Sequence, residues 1–196
     1  MGIWKRAALV AIACLALAYS LTADAATSAQ RGSVYLMRGF ANVLSRGLDD
    51  LNAKLHRRGV NSTILSYTDE YAVAEAIEQR YAKGKGTLPV ILIGHSFGAD
   101  ATLRVSARLA EKKIPVALII DFDPVTDIAV SANVNRVINF YEPIGGLRLN
   151  PGRGFRGRLD NIDVSKSDPT IGHFNIEKNY QLHARAISAV LATLGR

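Results

Sequence analysis

Apolar and polar positions along the chain alternate between short runs and helical spacings. Val34-Tyr35-Leu36-Met37 is a short apolar run that reads as a strand and leads into Arg38-Gly39-Phe40. Leu44, Leu48, Leu51 and Leu55 follow at helical spacing, with Asn42 as the expected N-cap and Gly59 as the stop. Residues 60–67 alternate enough for a second strand. Thr68 is the expected cap of a helix through Tyr81, with Val73, Ala76, Ile77 and Tyr81 as its apolar face. Asp69 and Glu70 fall in its first turn, where negative charge suits the helix dipole, and Gly84 and Gly86 stop it. Residues 88–93 are a continuous apolar run, and the pattern after them carries Ala101, Val105 and Leu109 four apart. Further strands are predicted at 114–122, ending at Asp123-Pro124, at 134–141, and at 159–164 after a loop rich in Gly, Pro and Arg. A last helix is predicted over 175–194, with Ile176, Tyr180, Ile187, Val190 and Leu194 on one side. Strands alternating with helices predict an α/β fold, a mostly parallel sheet of about six strands with helices on both faces.

The junction after the run 88–93 reads Gly94-His95-Ser96-Phe97-Gly98. A Gly-x-Ser-x-Gly match alone also fits a plain turn after a buried strand. The strand before it and the helix after it give it the context of a nucleophile elbow. Ser96 at so tight a tip must take a strained backbone, and Gly94 and Gly98, without side chains, let strand and helix approach closely. The Ser96 hydroxyl then stands above the carboxyl edge of the sheet. The Phe97 N–H sits at a helix N-terminus, placed to stabilise an oxyanion. On these residues the chain resembles the α/β-hydrolase superfamily, and Gly-His-Ser-x-Gly is most similar to its lipases, esterases and thioesterases. Compact exported bacterial proteins with an Arg-Gly-Phe start are also similar. The likeness covers about residues 33–195 and implies a minimal α/β-hydrolase fold. The connection at 124–133 is too short for the large lid that many lipases insert there. Soluble short-acyl esters and no activation at a lipid interface are therefore expected.

A serine hydroxyl needs a base to take its proton, and in the resembled superfamily the chain order is serine, acid, histidine. His56 precedes the serine, and His95 adjoins it on the strand end and is expected to point elsewhere. His183 falls mid-helix near the apolar stripe, the place of a structural histidine. His173, in a loop between the last strand and the last helix, is where the resemblance puts the catalytic imidazole. The acid accepts the other imidazole N–H and fixes the tautomer. Asp123, at the end of the strand after the elbow helix, is the first choice, and Glu142, one strand later, is the alternative. Asp121 shares a strand side with Asp123 but lies deeper and reads as a structural hydrogen-bonder; Asp160 and Asp163 are remote choices. The resemblance places a second oxyanion donor after the first strand, which makes it the Phe40 N–H. Arg38 stands where many esterases carry histidine.

Composition adds compartment and partners. Lys5 and Arg6 precede an apolar run from Ala7 to Tyr19, too short to span a bilayer comfortably, and Ala23-Asp24-Ala25 has the form of a cleavage site. Residues 1–25 thus read as a signal peptide and 26–196 as a single domain, exported to the periplasm or secreted. An uncleaved anchor and a lipoprotein signal using Cys14 are the weaker alternatives. Cys14 is the single cysteine, so the mature chain has neither a disulfide nor a cysteine nucleophile. No His-x-x-x-His pair and no Cys/His cluster suggests a metal, and no cofactor is implied. The net charge of +7 suits anionic surfaces such as lipid headgroups, with peripheral membrane contact, and equally serves plain solubility. Arg148, Arg153, Arg156 and Arg158 are the expected basic rim. No basic stretch is interleaved with aromatics, which argues against nucleic acid. The sequence thus points to a serine hydrolase of a small-molecule or lipid ester or thioester, with acyl transfer as a variant. A non-catalytic binding protein on the same scaffold is the alternative.

Overall fold

A computed structural model of the chain describes residues 33–40, 45–85 and 89–196. The signal segment, Asn42, Leu44, Gly86 and Leu88 lie outside the described residues. Six strands form one sheet: β1 (Ser33–Arg38), β2 (Ser62–Ser66), β3 (Val90–His95), β4 (Leu118–Phe122), β5 (Arg136–Tyr141) and β6 (Arg158–Asp163). Their order is β2-β1-β3-β4-β5-β6, and every pairing is parallel. The described α-helices are α1 (Gly47–Arg57), α2 (Glu70–Arg80), α3 (Phe97–Glu111) and α4 (Tyr180–Thr193). This is the α/β architecture expected from the alternating pattern.

β3 and β4 are buried at every position, which is why residues 88–93 read as a continuous apolar run and β4 is apolar apart from Asp121. Their side chains still alternate between faces. Ile91 and Ile93 join Leu48, Leu51 and Leu55 of α1 and Val190 of α4, while Val90 and Leu92 join Val73 and Ile77 of α2 and Val105 and Leu109 of α3. Two helices thus cover each face.

The helix boundaries differ from the expected ones in three places. α1 begins at Gly47, with no side-chain cap. Before α2, the cap belongs to Ser66 rather than Thr68. Ser66 Oγ accepts from the Thr68 N–H, and the Asp69 carboxylate accepts from the Ser66 N–H, closing a 3-10 turn over Tyr67–Asp69. The predicted last helix is two elements, a 3-10 turn at Ile176–Lys178 and then α4, started by the Asn179 side chain. Two apolar faces shift accordingly: Ala74 is buried where Ala76 was expected, and Tyr180 is exposed.

Strand order reverses between β1 and β3, and a crevice opens at such a point beyond the carboxyl ends. Gly39 follows β1, Ser96 follows β3 and Asp123 follows β4, so the sheet delivers these segments to one edge. The connection from β4 to β5 carries no helix.

Candidate active site

Ser96 sits between β3 and α3 with φ 57 and ψ −127, a conformation L-residues seldom adopt. A Cβ at Gly94 would strike the backbone of Gly98 and Ala99, and one at Gly98 would strike the Met37 carbonyl. The two glycines therefore let α3 lie directly on β3 and β1. Each ladder runs one residue beyond its strand. The Ser96 N–H donates to Phe122 O (3.0 Å), and the Asp123 N–H donates to Phe140 O (2.8 Å). That extension sets Ser96 and Asp123 side by side. Asp123 also has a left-handed backbone, φ 53, which turns the chain out of the sheet.

His173 reaches both residues from the loop before α4. Its Nε2 lies 3.0 Å from Ser96 Oγ, and its Nδ1 lies 3.1 Å from Asp123 Oδ2. A carboxylate only accepts, so Nδ1 carries the hydrogen and Nε2 is free to accept from the serine. Asp123 is fully buried. Burial pushes its carboxyl above the usual range, and hydrogen bonds from His173 and from the Glu142 N–H to Oδ1 (2.7 Å) pull it back. The Glu142 carboxylate accepts from the Ile144 N–H at 3.0 Å instead of from the imidazole. Of the two carboxylates weighed from sequence, Asp123 meets His173, and Glu142 supports Asp123 through its backbone.

The other histidines lie elsewhere, with one exception. His183 is buried in α4 with Nε2 on Glu177 O at 2.6 Å, and His56 Nε2 is 2.7 Å from Ser62 O. His95 does not point away from the site, contrary to expectation. Its ring lies 5.1 Å from that of His173, and its Nε2 is 2.9 Å from the His173 carbonyl.

Ser96 opens into a cavity of about 280 Å³ lined by Phe40, Ser45, His95, Phe97, Val125, His173 and Phe174. Phe40 and Phe97 stand 6.4 Å apart at its mouth; they and Phe174 are 58%, 41% and 64% exposed. Larger grooves, of about 600 and 850 Å³, flank α4, but neither touches Ser96. Size therefore does not mark the site here; the polar side chains do.

Solved structures match this geometry at the level of fold. A protein assigned to the hydrolases of the α/β superfamily, from Xanthomonas campestris pv. campestris, aligns with a TM-score of 0.53 at 19% identity, over 83% of this chain and 99% of that one. A cutinase-like protein from Cryptococcus sp. aligns at 0.53 and 15% identity, over 84% and 95%. The RedJ thioesterase of the prodiginine biosynthetic pathway in Streptomyces coelicolor aligns at 0.52 and 10% identity, over 85% and 88%. The chain has an α/β-hydrolase fold. No protein-family model and no curated protein matches its sequence.

Several residues that shape this edge of the α/β-hydrolase fold carry no local sequence signal. Ser45 joins the cavity from the turn before α1. Asp100, buried in the first turn of α3, accepts from the Val125 and Thr126 N–H groups and pins the segment after Asp123. Gly146 lies against the Asp123 carboxylate, and a Cβ on Gly145 would come within 2.8 Å of His173 Cβ. Nothing local in the sequence marks Gly145 and Gly146 as neighbours of the imidazole and its acid. Arg38 pairs with Asp49 of α1, which holds its side chain beside the helix. Among the described residues no group of three His, Cys, Asp or Glu is close enough to hold a metal ion.

Proposed function

We propose that the protein is a serine hydrolase of carboxylic esters or thioesters working through an acyl-enzyme. The observation that carries this reading is the continuous chain Ser96 Oγ–His173–Asp123 at 3.0 and 3.1 Å, mounted on a strained elbow. Ser96 attacks the acyl carbon as its proton passes to His173 Nε2. Asp123 keeps Nδ1 protonated and balances the imidazolium. The N–H groups of Phe97 and Phe40 are the proposed oxyanion donors, one from the first residue of α3 and one from the turn after β1. His173 then returns the proton to the leaving alcohol or thiol, and water repeats the sequence to free the acid. The short aromatic-lined cavity and the helix-free β4–β5 connection support soluble short-acyl substrates reached without a lid.

A fluorophosphonate probe tests the core of this reading, because it phosphonylates an activated serine whatever the natural substrate. The intact protein is expected to label stoichiometrically. Ser96→Ala is expected to abolish labelling, and His173→Ala to slow it nearly as far, since such residues act as a unit. Labelling that persists in Ser96→Ala would remove the assignment, and an unlabelled wild type would favour a binding protein. We further propose export with removal of residues 1–25, supported by Ala23-Asp24-Ala25 after the apolar run, and contact with anionic partners through surface arginines.

A further inference from the structure

His95 is buried beside the serine, and its hydrogen bonds have only one consistent direction. Its Nε2 lies 2.9 Å from the His173 backbone carbonyl. A carbonyl cannot donate, so Nε2 carries the hydrogen. Burial keeps this imidazole neutral down to about 4, so Nδ1 is bare and must accept. The group facing Nδ1 at 2.8 Å is Ser45 Oγ, which donates to it. Ser45 Oγ in turn accepts from the Gly39 N–H at 2.9 Å. The run is therefore Gly39 N–H to Ser45 Oγ–H to His95 Nδ1, then His95 Nε2–H to His173 O, with every hydrogen used once.

The two ends of that run are the two loops that the chemistry needs in register. Gly39 immediately precedes Phe40, whose N–H is a proposed oxyanion donor, and a Cβ on Gly39 would stand 3.0 Å from Ser96 Cβ. His173 carries the proposed base. His95 itself is fixed at the end of β3, where its register partner is Phe122 of β4. We propose that His95, braced by Ser45, is a positioning residue that holds the Phe40 loop and the His173 loop in one register about Ser96. The proposal rests on the serine-hydrolase reading of the site. Both ring nitrogens of His95 are taken, by Ser45 Oγ and by the His173 carbonyl, so it has no part in the proton transfer itself. It sets where the base and the oxyanion donor stand, and a misplacement of about 1 Å at such groups costs roughly a hundredfold in rate.

The test uses the fluorophosphonate probe on the full chain, separating the maximal labelling rate from the half-saturating probe concentration. His95→Phe keeps the ring volume and removes both hydrogen bonds. His95→Gln keeps an N–H donor at the ε position for the His173 carbonyl. The expected result for His95→Phe is a maximal rate lowered roughly tenfold to a hundredfold at a nearly unchanged half-saturating concentration. His95→Gln is expected to recover most of that loss. Ser45→Ala is expected to cost severalfold alone and to add little on top of His95→Phe, because both act in one run. A buried histidine that served packing alone would lower thermal stability and leave the rate of the folded protein unchanged. A wild-type rate in folded His95→Phe, or a His95→Gln no better than His95→Phe, overturns the brace. If His95→Phe does not fold, a wild-type rate in Ser45→Ala overturns it equally. Ser96→Ala run alongside separates the two levels: continued labelling there breaks the serine-hydrolase reading, whereas an inert Ser96→Ala beside a fully active His95→Phe breaks the brace alone.

Discussion

Asp123 accepts two hydrogen bonds with two oxygens, from the Glu142 N–H and from His173 Nδ1. An amide in its place has one accepting oxygen, so one of those donors would face an NH₂ group. Asp123→Asn therefore either abandons the Glu142 backbone or forces His173 into the other tautomer. The expected loss in turnover is on the order of 10⁴, by the serine-protease precedent. Glu142→Gln leaves the supporting N–H in place and changes only the acceptor for Ile144, so its cost should stay under about tenfold, the worth of one neutral hydrogen bond. Turnover of a short ester by both variants decides it: a crippled Glu142→Gln beside a near-normal Asp123→Asn would give the acid role to Glu142. At this scale the sequence was most legible where chemistry restricts residue type and place. A serine in a Gly-x-Ser-x-Gly turn, a loop histidine near the end of the chain and two carboxylates after strands could all be named. Ser45 could not, because its partner His95 is 50 positions away and only the fold makes them neighbours.

The elements show the same division between local and long-range causes. Burial on both faces made β3 plain as an apolar run. Ala74 could not be chosen over Ala76 by period alone. Val73, Ala74 and Ile77 pack with Ala101, Val105 and Leu109 of α3, and two ion pairs flank that contact, Glu70 with Arg104 and Glu78 with Arg108, four residues on either side of Ala74. The break before Asn179 likewise resets the phase of α4, so a stripe counted from Ile176 runs out of step by Tyr180. Inside β4, Asp121 is wholly buried. Burial pushes its carboxyl well above the usual range, with the Thr102 hydroxyl at 2.8 Å opposing and the Asp100 charge adding to the rise. Its Oδ2 and the Oδ1 of Asn139, its register partner on β5, are both buried without a hydrogen-bond partner, and a proton on Oδ2 would supply the hydrogen both lack. The folded state holds this proton where the unfolded chain has released it, so the contribution is fully present below the ordinary carboxyl range and is lost as pH rises toward the higher folded value. Asp121→Asn supplies a permanent N–H. It should raise the thermal midpoint at pH 8 by about 3 °C, roughly 1 kcal/mol for a chain of this size, and by less at pH 5. An equal or larger gain at pH 5 would show that Asp121 is ionised in the folded protein.

At the scale of the described fold, four arginines gather at a groove that does not touch the serine. The rim expected from the Arg-rich loop is redistributed by the fold. Arg148 and Arg158 line the groove of about 850 Å³ together with Arg136 and Arg185, whereas Arg153 and Arg156 are exposed outside that lining. The one carboxylate in the lining, Asp160, is shared by Arg136 at 3.2 Å and Arg158 at 2.8 Å. Arg185 lies 5.2 Å over the Phe140 ring. Four guanidinium groups against one carboxylate leave an excess that suits an anionic surface, and a net charge of +7 adds long-range attraction within a screening length of about 8 Å at physiological salt. The measurement is binding of the protein to vesicles of neutral lipid, with and without an anionic component, across a salt series. Preference for the anionic vesicles, fading with salt, is the expected result. Arg148→Glu with Arg185→Glu should weaken it by at least roughly tenfold, since each basic residue near such a surface is worth about 1 kcal/mol. Fluorophosphonate labelling of that double variant should match wild type, because neither residue lines the cavity at Ser96. Equal binding to both vesicle types would leave these arginines as ordinary solubility charge. Weakened labelling in the double variant would instead tie the groove to the chemistry at the carboxyl edge of the sheet.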